Sequence, residues 1–453
     1  MITVMSTSMK SNNYTKSVRE QYESYPFPPR DPEEELTTIK ITDIDFIGKI
    51  SHYCFNGKLN PEKQKLRFLV AGGGTGDAVI FLAEQLRGFC GEVTYLDMSQ
   101  TSMHIAQQRA KIRTLDNIQW IQGSLLDLQE MDIGEYDYIN CYGVLHHLKD
   151  PSLGLQALAS RLKSNGAMGL MMYAKYGRTN VYYMQKLLKM INSVEDTLAT
   201  KVSNTRTIID SLPETNWLKC GPIPFWGDAE LHDSHIFDLF LHSQDQAYDV
   251  MKLCEWLDSN DIKLIDFAEN KSLYKPSTFI KDQCLLKKIN LMPLKKRQAI
   301  AENIAGNINK HIFYAKKSSN NKVASFDDVE NIPYFCDGLP FEPNTKSLYE
   351  IVKNASPGSI VTINFPNTQK QVQVNISTYT KYFIKYIDSR TTIKKLLKLV
   401  QSDPDFRMAP PKKAQLLKDF EDMYTEFQEH DTIFLRYKNI SPYKHYRQLQ
   451  NIT

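Results

Sequence analysis

Between residues 63 and 177 short apolar runs alternate with segments of helical apolar spacing, and glycines or acids fall at the joins. Residues 65–71 form a strand-sized apolar run, followed at once by Gly72-Gly73-Gly74-Thr75-Gly76-Asp77 and then by 78–86, where apolar residues recur at helical intervals. Residues 92–96 predict a second strand ending in Asp97, 99–113 a helix, 118–122 and 136–141 two more strands, 152–162 a helix and 167–173 a further strand. Strands and helices alternating at this spacing require right-handed crossovers, which makes the expected fold class α/β with a doubly wound parallel sheet. Ligands of such sheets sit beyond the carboxyl ends of the strands, where the strand order reverses.

The rest of the chain is bounded by its length and charge. With 453 residues, two or three domains are expected. Apolar residues at 42% and charged residues at 24% are those of a folded chain, not a disordered one. Lys+Arg 55 against Asp+Glu 52 leaves a net charge of +3, which argues against a bulk electrostatic grip on nucleic acid. The 7 cysteines are odd in number and never spaced as CxxC, so neither a disulfide framework nor a zinc site is expected. A polar start without an apolar leader core, and no run of 18 apolar residues, predict a soluble, cytoplasmic protein. Four stretches follow: an N-terminal arm or lid (1–62), the α/β core (63–177), a largely helical insertion with the closing strands of the core (178–317), and a small mixed domain (323–453).

Each candidate motif falls at a strand end. The glycine turn 72–76 lets backbone approach a ligand closely, although a tight structural turn would read the same. No Lys-Ser/Thr follows it, so a P-loop is excluded. Asp97, twenty-one positions after Gly76, is placed either to accept both hydroxyls of a ribose or to cap the next helix. Gly123-Ser124-Leu125-Leu126-Asp127 is a short acidic loop that could pair with an adenine amino group while Leu125 flanks the ring; a plain surface loop is the alternative. Asn140-Cys141-Tyr142-Gly143-Val144-Leu145-His146-His147 carries the next strand into a loop bearing histidines.

Taken together these segments resemble the class I S-adenosylmethionine-dependent methyltransferases, which have a Rossmann-like sheet. The resemblance implies S-adenosylmethionine (AdoMet) as cofactor. It implies that Gly72, Gly74 and Gly76 hold its methionine part, that Asp97 with Met98 holds the ribose, and that Ser124, Leu125 and Asp127 face adenine. The loop with Tyr142 would face the transferable methyl. One departure is Val70, where the family often has an acid two positions before the first glycine; another is the absence of an Asn/Asp-Pro-Pro-Tyr/Phe motif. The arm, with Tyr22-Glu23-Ser24-Tyr25-Pro26-Phe27-Pro28 and Arg30, is similar to a bacterial subgroup with a Tyr-Glu-x-x-Pro-Tyr/Phe-Pro signature, as is 238–248.

Proline-stiffened Tyr22, Tyr25 and Phe27 fit either a lid over the cofactor or a brace packed on the core. His146, His147 and Tyr142 are the catalytic candidates, yet methyl transfer needs alignment more than a base, so the histidines could equally shape the loop. His232, Asp233, His235, Asp238, His242 and Asp245 lack a compact ligand motif, and no metal is expected. An acceptor pocket lined by 213–248, with Trp217, Trp226 and His242, is the expectation. Residues 386–400 resemble the turn-helix part of a winged-helix module. The appended domain favours a protein or peptide acceptor, lysine narrowly. The alternatives are a small-molecule O-, N- or C-methyltransferase and an AdoMet-binding regulatory protein without turnover; nucleic acid and membrane are not expected partners, and the oligomeric state is open.

Overall fold

The computed structural model describes residues 5–6, 13–220, 232–242, 244–268, 270–317, 323–335, 345–365, 370–444 and 449. Its strands are β1 (Met5–Ser6), β2 (Arg67–Ala71), β3 (Glu92–Asp97), β4 (Ile118–Gln122), β5 (Tyr136–Tyr142), β6 (Leu162–Tyr173), β7 (Lys263–Phe267) and β8 (Lys310–Lys316). They form an 8-stranded sheet in the order β1-β4-β3-β2-β5-β6-β8-β7. All neighbours pair in parallel except β8, which runs antiparallel to both β6 and β7. The chain winds outward from β2 in one direction through β3 and β4, then restarts on the other side at β5. The crevice at the ends of β2 and β5 is therefore the switch point.

Alternation along the strands divides the core in two. Phe68, Val70, Tyr138, Met171, Ile312 and Tyr314 face one layer. Leu69, Ala71, Ile139, Cys141, Leu170 and Phe313 face the other. The first layer is covered by α2 (Ile47–Cys54), α3 (Asp77–Leu86) and α4 (Gln100–Ile112) together with residues 39–46 of the arm, and α1 (Asn13–Ser24) packs against α4. The second is covered by α5 (Pro151–Ser160) and the helix Val250–Ser259. The insertion contributes α6 (Thr179–Ile191) and α7 (Leu198–Ser211), which share a small apolar cluster with Ile236, Phe237 and Phe240.

Beyond residue 323 the chain builds β9 (Asn331–Phe335), a hairpin of β10 (Ile360–Phe365) and β11 (Lys370–Asn375), and β12 (Ile433–Tyr437), which pairs antiparallel with β9. The helix Ile393–Gln401 is capped by Thr392 and packs with Lys413–Glu429 over its own apolar core. This region is fastened to α2. The His52 ring nitrogen accepts the Leu435 N–H at 3.1 Å, and Tyr334 donates to the Gly48 carbonyl at 3.0 Å. Asp431 lies between the ammonium groups of Lys49 (3.2 Å) and Lys271 (3.4 Å). Burial pushes its carboxyl up, but the lysines outweigh that and hold it below the usual range.

The arm is tied to the core by buried charge. Glu35 accepts from Arg109 at 2.6 Å and from Arg113, with all three side chains essentially inaccessible. Arg109 also reaches Asp77 at 2.7 Å, and Arg30 binds the same carboxylate at 2.6 Å. Removing one partner of such a set leaves charge buried without compensation. Glu35→Gln is therefore expected to lower the unfolding free energy by about 3–5 kcal/mol. Denaturant titration measures this, and a loss under 1 kcal/mol would show that the arm does not depend on the network.

Candidate active site

The glycine turn is shaped by sterics on both sides. Gly72 has φ +77, and a Cβ there would come within 2.3 Å of the Val144 side chain. Gly74 has φ +50, and a Cβ would stand 2.5 Å from the Phe27 carbonyl oxygen, so the arm can lie on the turn only because no side chain intervenes. Asp97, at the tip of β3, accepts the N–H groups of Gly74 and Ser99, each at 2.8 Å. Its carboxyl is raised by desolvation, with those N–H groups pulling the other way.

The donors of the turn are already used. Gly72 and Gly73 both donate to the Leu96 carbonyl, Gly74 to Asp97, Thr75 to the Phe27 carbonyl and Gly76 to the Gly73 carbonyl. Within 72–76 no N–H is left for a pyrophosphate, and the uncapped N–H groups at the start of α3 lie one residue further on. What remains is a carboxylate with spare lone pairs beside apolar walls, which fits a ribose and a flat ring carried without phosphate.

A cavity of about 480 Å³ opens at the switch point, within the range of small-molecule sites. One end is lined by Gly72, Gly73, Gly74, Asp97, Met98 and Leu125, with Ser124 and Val144 beside them. The other is lined by Ile41, Asp45, Asn140, Met171, Tyr173 and Asp238, with Lys310 and Ile312. Tyr22 and Phe27 from the arm, and Tyr142 and His147 from β5 and the loop after it, also line the cavity. Lys310 donates to the Tyr142 hydroxyl at 3.0 Å.

Several residues singled out in the sequence stand elsewhere. Gly76 lies at the start of α3 and Asp127 is half-buried in its turn; neither lines the cavity. His146 is fully buried, stacked 3.7 Å from the Tyr173 ring, and does not line the cavity. Tyr25 stacks on Phe237 at 5.4 Å, and Arg30 pairs with Asp77. Trp217 is 63% exposed and apart from the cavity, while Trp226 lies outside the described residues. The His/Asp cluster is divided among separate partners: Asp233 pairs with Arg206, Asp245 with Arg178, and His235 meets the edge of Phe27. No group of three or more potential metal ligands occurs among the described residues.

Asp45, Asn140, Tyr173, Asp238 and Lys310 were not anticipated. They come from the segment before α2, from β5, β6 and β8, and from the irregular turn Phe237–Leu241, and no sequence spacing links them. The signals were Asn140, which opens the motif 140–147, and Asp238, visible within the acidic and histidine cluster and within the segment 238–248.

His147 donates from Nδ1 to the Gln244 carbonyl at 2.8 Å, which leaves Nε2 bearing its lone pair, buried and without a partner. Burial pushes the ring down to about 4. His242, stacked on it at 3.7 Å, is pushed to about 3 by burial and then by His147. Both are neutral near pH 7.

Fold and site together are those of a doubly wound α/β domain with its cavity at the switch point of the sheet. Residues 69–168 match the family model described as a methyltransferase domain. An uncharacterized protein of Synechococcus sp. is 30% identical over 261 residues, covering 57% of this chain and 61% of that protein. The tRNA 5-carboxymethoxyuridine methyltransferase of Escherichia coli K12 is 36% identical over 115 residues, covering 25% of this chain and 42% of that enzyme. The chain thus spans less than two thirds of either curated relative. PKMT2 from Rickettsia typhi, solved in complex with AdoHcy, shares the fold with a TM-score of 0.61 over 87% of this chain and 76% of that one, at 16% identity.

Two outcomes test this geometry. Asp97→Ala is expected to weaken binding of AdoMet and of S-adenosylhomocysteine by about 1.5–3 kcal/mol, the scale of a charge-assisted hydrogen bond. Unchanged affinity in a calorimetric titration would remove the ribose assignment. The second outcome concerns acid. Both histidines have folded values below their ordinary 6.5, so the unfolded chain takes up protons first and stability is lost as the pH falls from 6.5 toward 4. Between pH 6.5 and 5 the wild-type chain should lose about 1.5 kcal/mol more than His242→Gln. Equal losses would mean that His242 is not buried neutral.

Proposed function

We propose that the chain transfers a methyl group from AdoMet to a side chain of a protein or peptide, with lysine the favoured residue. The observation that carries this reading is that one cavity is lined both by the glycine turn with the tip of β3 and by apolar and polar groups from β5, β6 and β8. The end at Gly72–Gly74, Asp97, Met98, Ser124 and Leu125 suits a nucleoside without phosphate. The lining by Ile41, Ile44, Met171 and Ile312 suits an aliphatic stem, and Asp45, Asn140, Tyr173 and Asp238 line the same cavity.

AdoMet would supply a methyl already activated by its sulfonium, so the chain's own task is alignment and exclusion of water. Asp97 holds the ribose hydroxyls. Leu125 and Met98 flank the adenine, with Ser124 at its rim. Tyr22, Phe27 and Pro28, from an arm whose sequence resembles a bacterial methyltransferase subgroup, close one side of the cavity. The likeness in fold to PKMT2, solved with AdoHcy, supports a cofactor of this kind.

Incubation of the full chain with methyl-labelled AdoMet and a fractionated lysate tests the reading. Label is expected in macromolecular fractions and, after acid hydrolysis, in methylated lysine. Label confined to small metabolites would replace it with small-molecule methylation, for which the same apolar end has room. Tight AdoMet binding with no transfer at all would leave a regulatory binding protein.

A further inference from the structure

The acceptor end of the cavity carries an unbalanced charge. Asp238 lines it, with its side chain 11% exposed. One carboxylate oxygen accepts from the Tyr22 hydroxyl at 3.3 Å, the other from the Tyr173 hydroxyl at 3.1 Å. Among the described residues no lysine or arginine pairs with it; its single ion-pair neighbour is His147 Nε2 at 3.9 Å. That ring cannot act as counter-ion, because burial keeps it neutral near pH 7. Arg178 is committed elsewhere, stacked 3.5 Å from the centre of Tyr173 and paired with Asp245 at 3.1 Å.

A carboxylate taken out of water without a cation is unfavourable. Burial raises the Asp238 carboxyl above the usual range, and His242, Arg178 and Tyr173 offset this only in part. A second group points the same way: His147 Nε2 is buried, has no hydrogen-bond partner and belongs to a residue lining the same cavity. Two acceptors therefore stand 3.9 Å apart with no donor between them.

We infer that Asp238 is the counter-ion for a primary ammonium group, which binds at this end of the cavity between the carboxylate and His147 Nε2. The inference rests on the reading of the cavity as a methyl-transfer site. Asp238 gives the ammonium a charged partner, Tyr22 and Tyr173 fix the carboxylate's orientation, and His147 accepts a further N–H. The ammonium can then pass one proton to an Asp238 oxygen: R–NH3+ and the carboxylate become R–NH2 and the carboxylic acid. That exchange leaves a neutral pair, which a desolvated site favours, and frees the nitrogen lone pair. Because Tyr22 comes from the arm, Tyr173 from the end of β6 and Asp238 from the insertion, the ammonium site exists only when all three are assembled. An anionic acceptor would be repelled from it.

The test uses the full chain, n-butylamine as the probe and 1-butanol as its neutral counterpart. Ligand-observed NMR titrations are run with and without S-adenosylhomocysteine. The wild-type chain is expected to bind the amine at least tenfold more tightly than the alcohol. In Asp238→Asn, which keeps the shape of the site but not its charge, the two affinities should converge while that for S-adenosylhomocysteine stays unchanged. Equal binding of amine and alcohol by the wild type, or a preference retained in the variant, overturns the inference. Should Asp238→Asn fail to fold, Tyr173→Phe takes its place: amine affinity should fall severalfold with alcohol affinity unchanged, and unchanged amine affinity overturns the inference. A wild-type amine preference that survives while S-adenosylhomocysteine does not bind would support the ammonium site and defeat the methyl-transfer reading instead.

Discussion

A chain of buried charges holds the architecture of the site together. Glu35 lies between Arg109 and Arg113, Arg109 continues to Asp77, and Asp77 receives Arg30. Arg109 and Arg113 belong to α4 and its end, Asp77 opens α3, and Glu35 and Arg30 come from the arm. Each ion would be costly alone in such surroundings, and their mutual pairing is what makes the burial tolerable. With the arm fixed on this line, Phe27 can lie over Gly74, and Tyr22 can reach across to Asp238. Glu23 adds a tie at the start of α4, accepting the N–H groups of Gln100 and Thr101 at 2.8 and 2.9 Å.

The α/β core was legible because its signals are local. Apolar runs of strand length, each followed by a turn and a helical pattern, put β2 through β6 and their helices within a few residues of where they stand. β6 reaches back to Leu162 because its start is an amphipathic edge with no apolar pattern of its own. β7 was not visible in the sequence: Lys263-Leu264-Ile265-Asp266-Phe267 is short, bears charges at two of its positions and is only partly buried. The helix within 386–400 was readable, but the attachment of this region to α2 was not, since it depends on pairs such as His52 with Leu435 that are far apart in sequence.

The same distinction runs through the site. Gly72, Gly74, Asp97, Leu125, Tyr142 and His147 lie at strand ends that a pattern can locate, and all of them line the cavity. Asp127 and Gly76 share those loops yet do not line the cavity, because Gly76 caps the start of α3 and Asp127 ends the short helical turn Leu125–Asp127. His146 shows this most plainly. It neighbours His147 in sequence, but its ring is sealed against Tyr173 behind the wall that His147 helps to form. The opposite end draws one group each from distant segments, and only the folded chain brings Asp45, Asn140, Tyr173 and Asp238 into one space.

The self-satisfied glycine turn has a consequence for what the cavity meets in a cell. Adenosine is the common handle of many abundant metabolites, most of which carry it on a phosphate chain. The amide protons of Gly72 to Gly76 all point to partners within the protein and offer those phosphates nothing, so only the start of α3 could replace the water they surrender. A nucleoside without phosphate meets no such cost at this turn, whereas phosphorylated compounds gain little from it. Selectivity of this kind needs no blocking group; it comes from withholding a welcome.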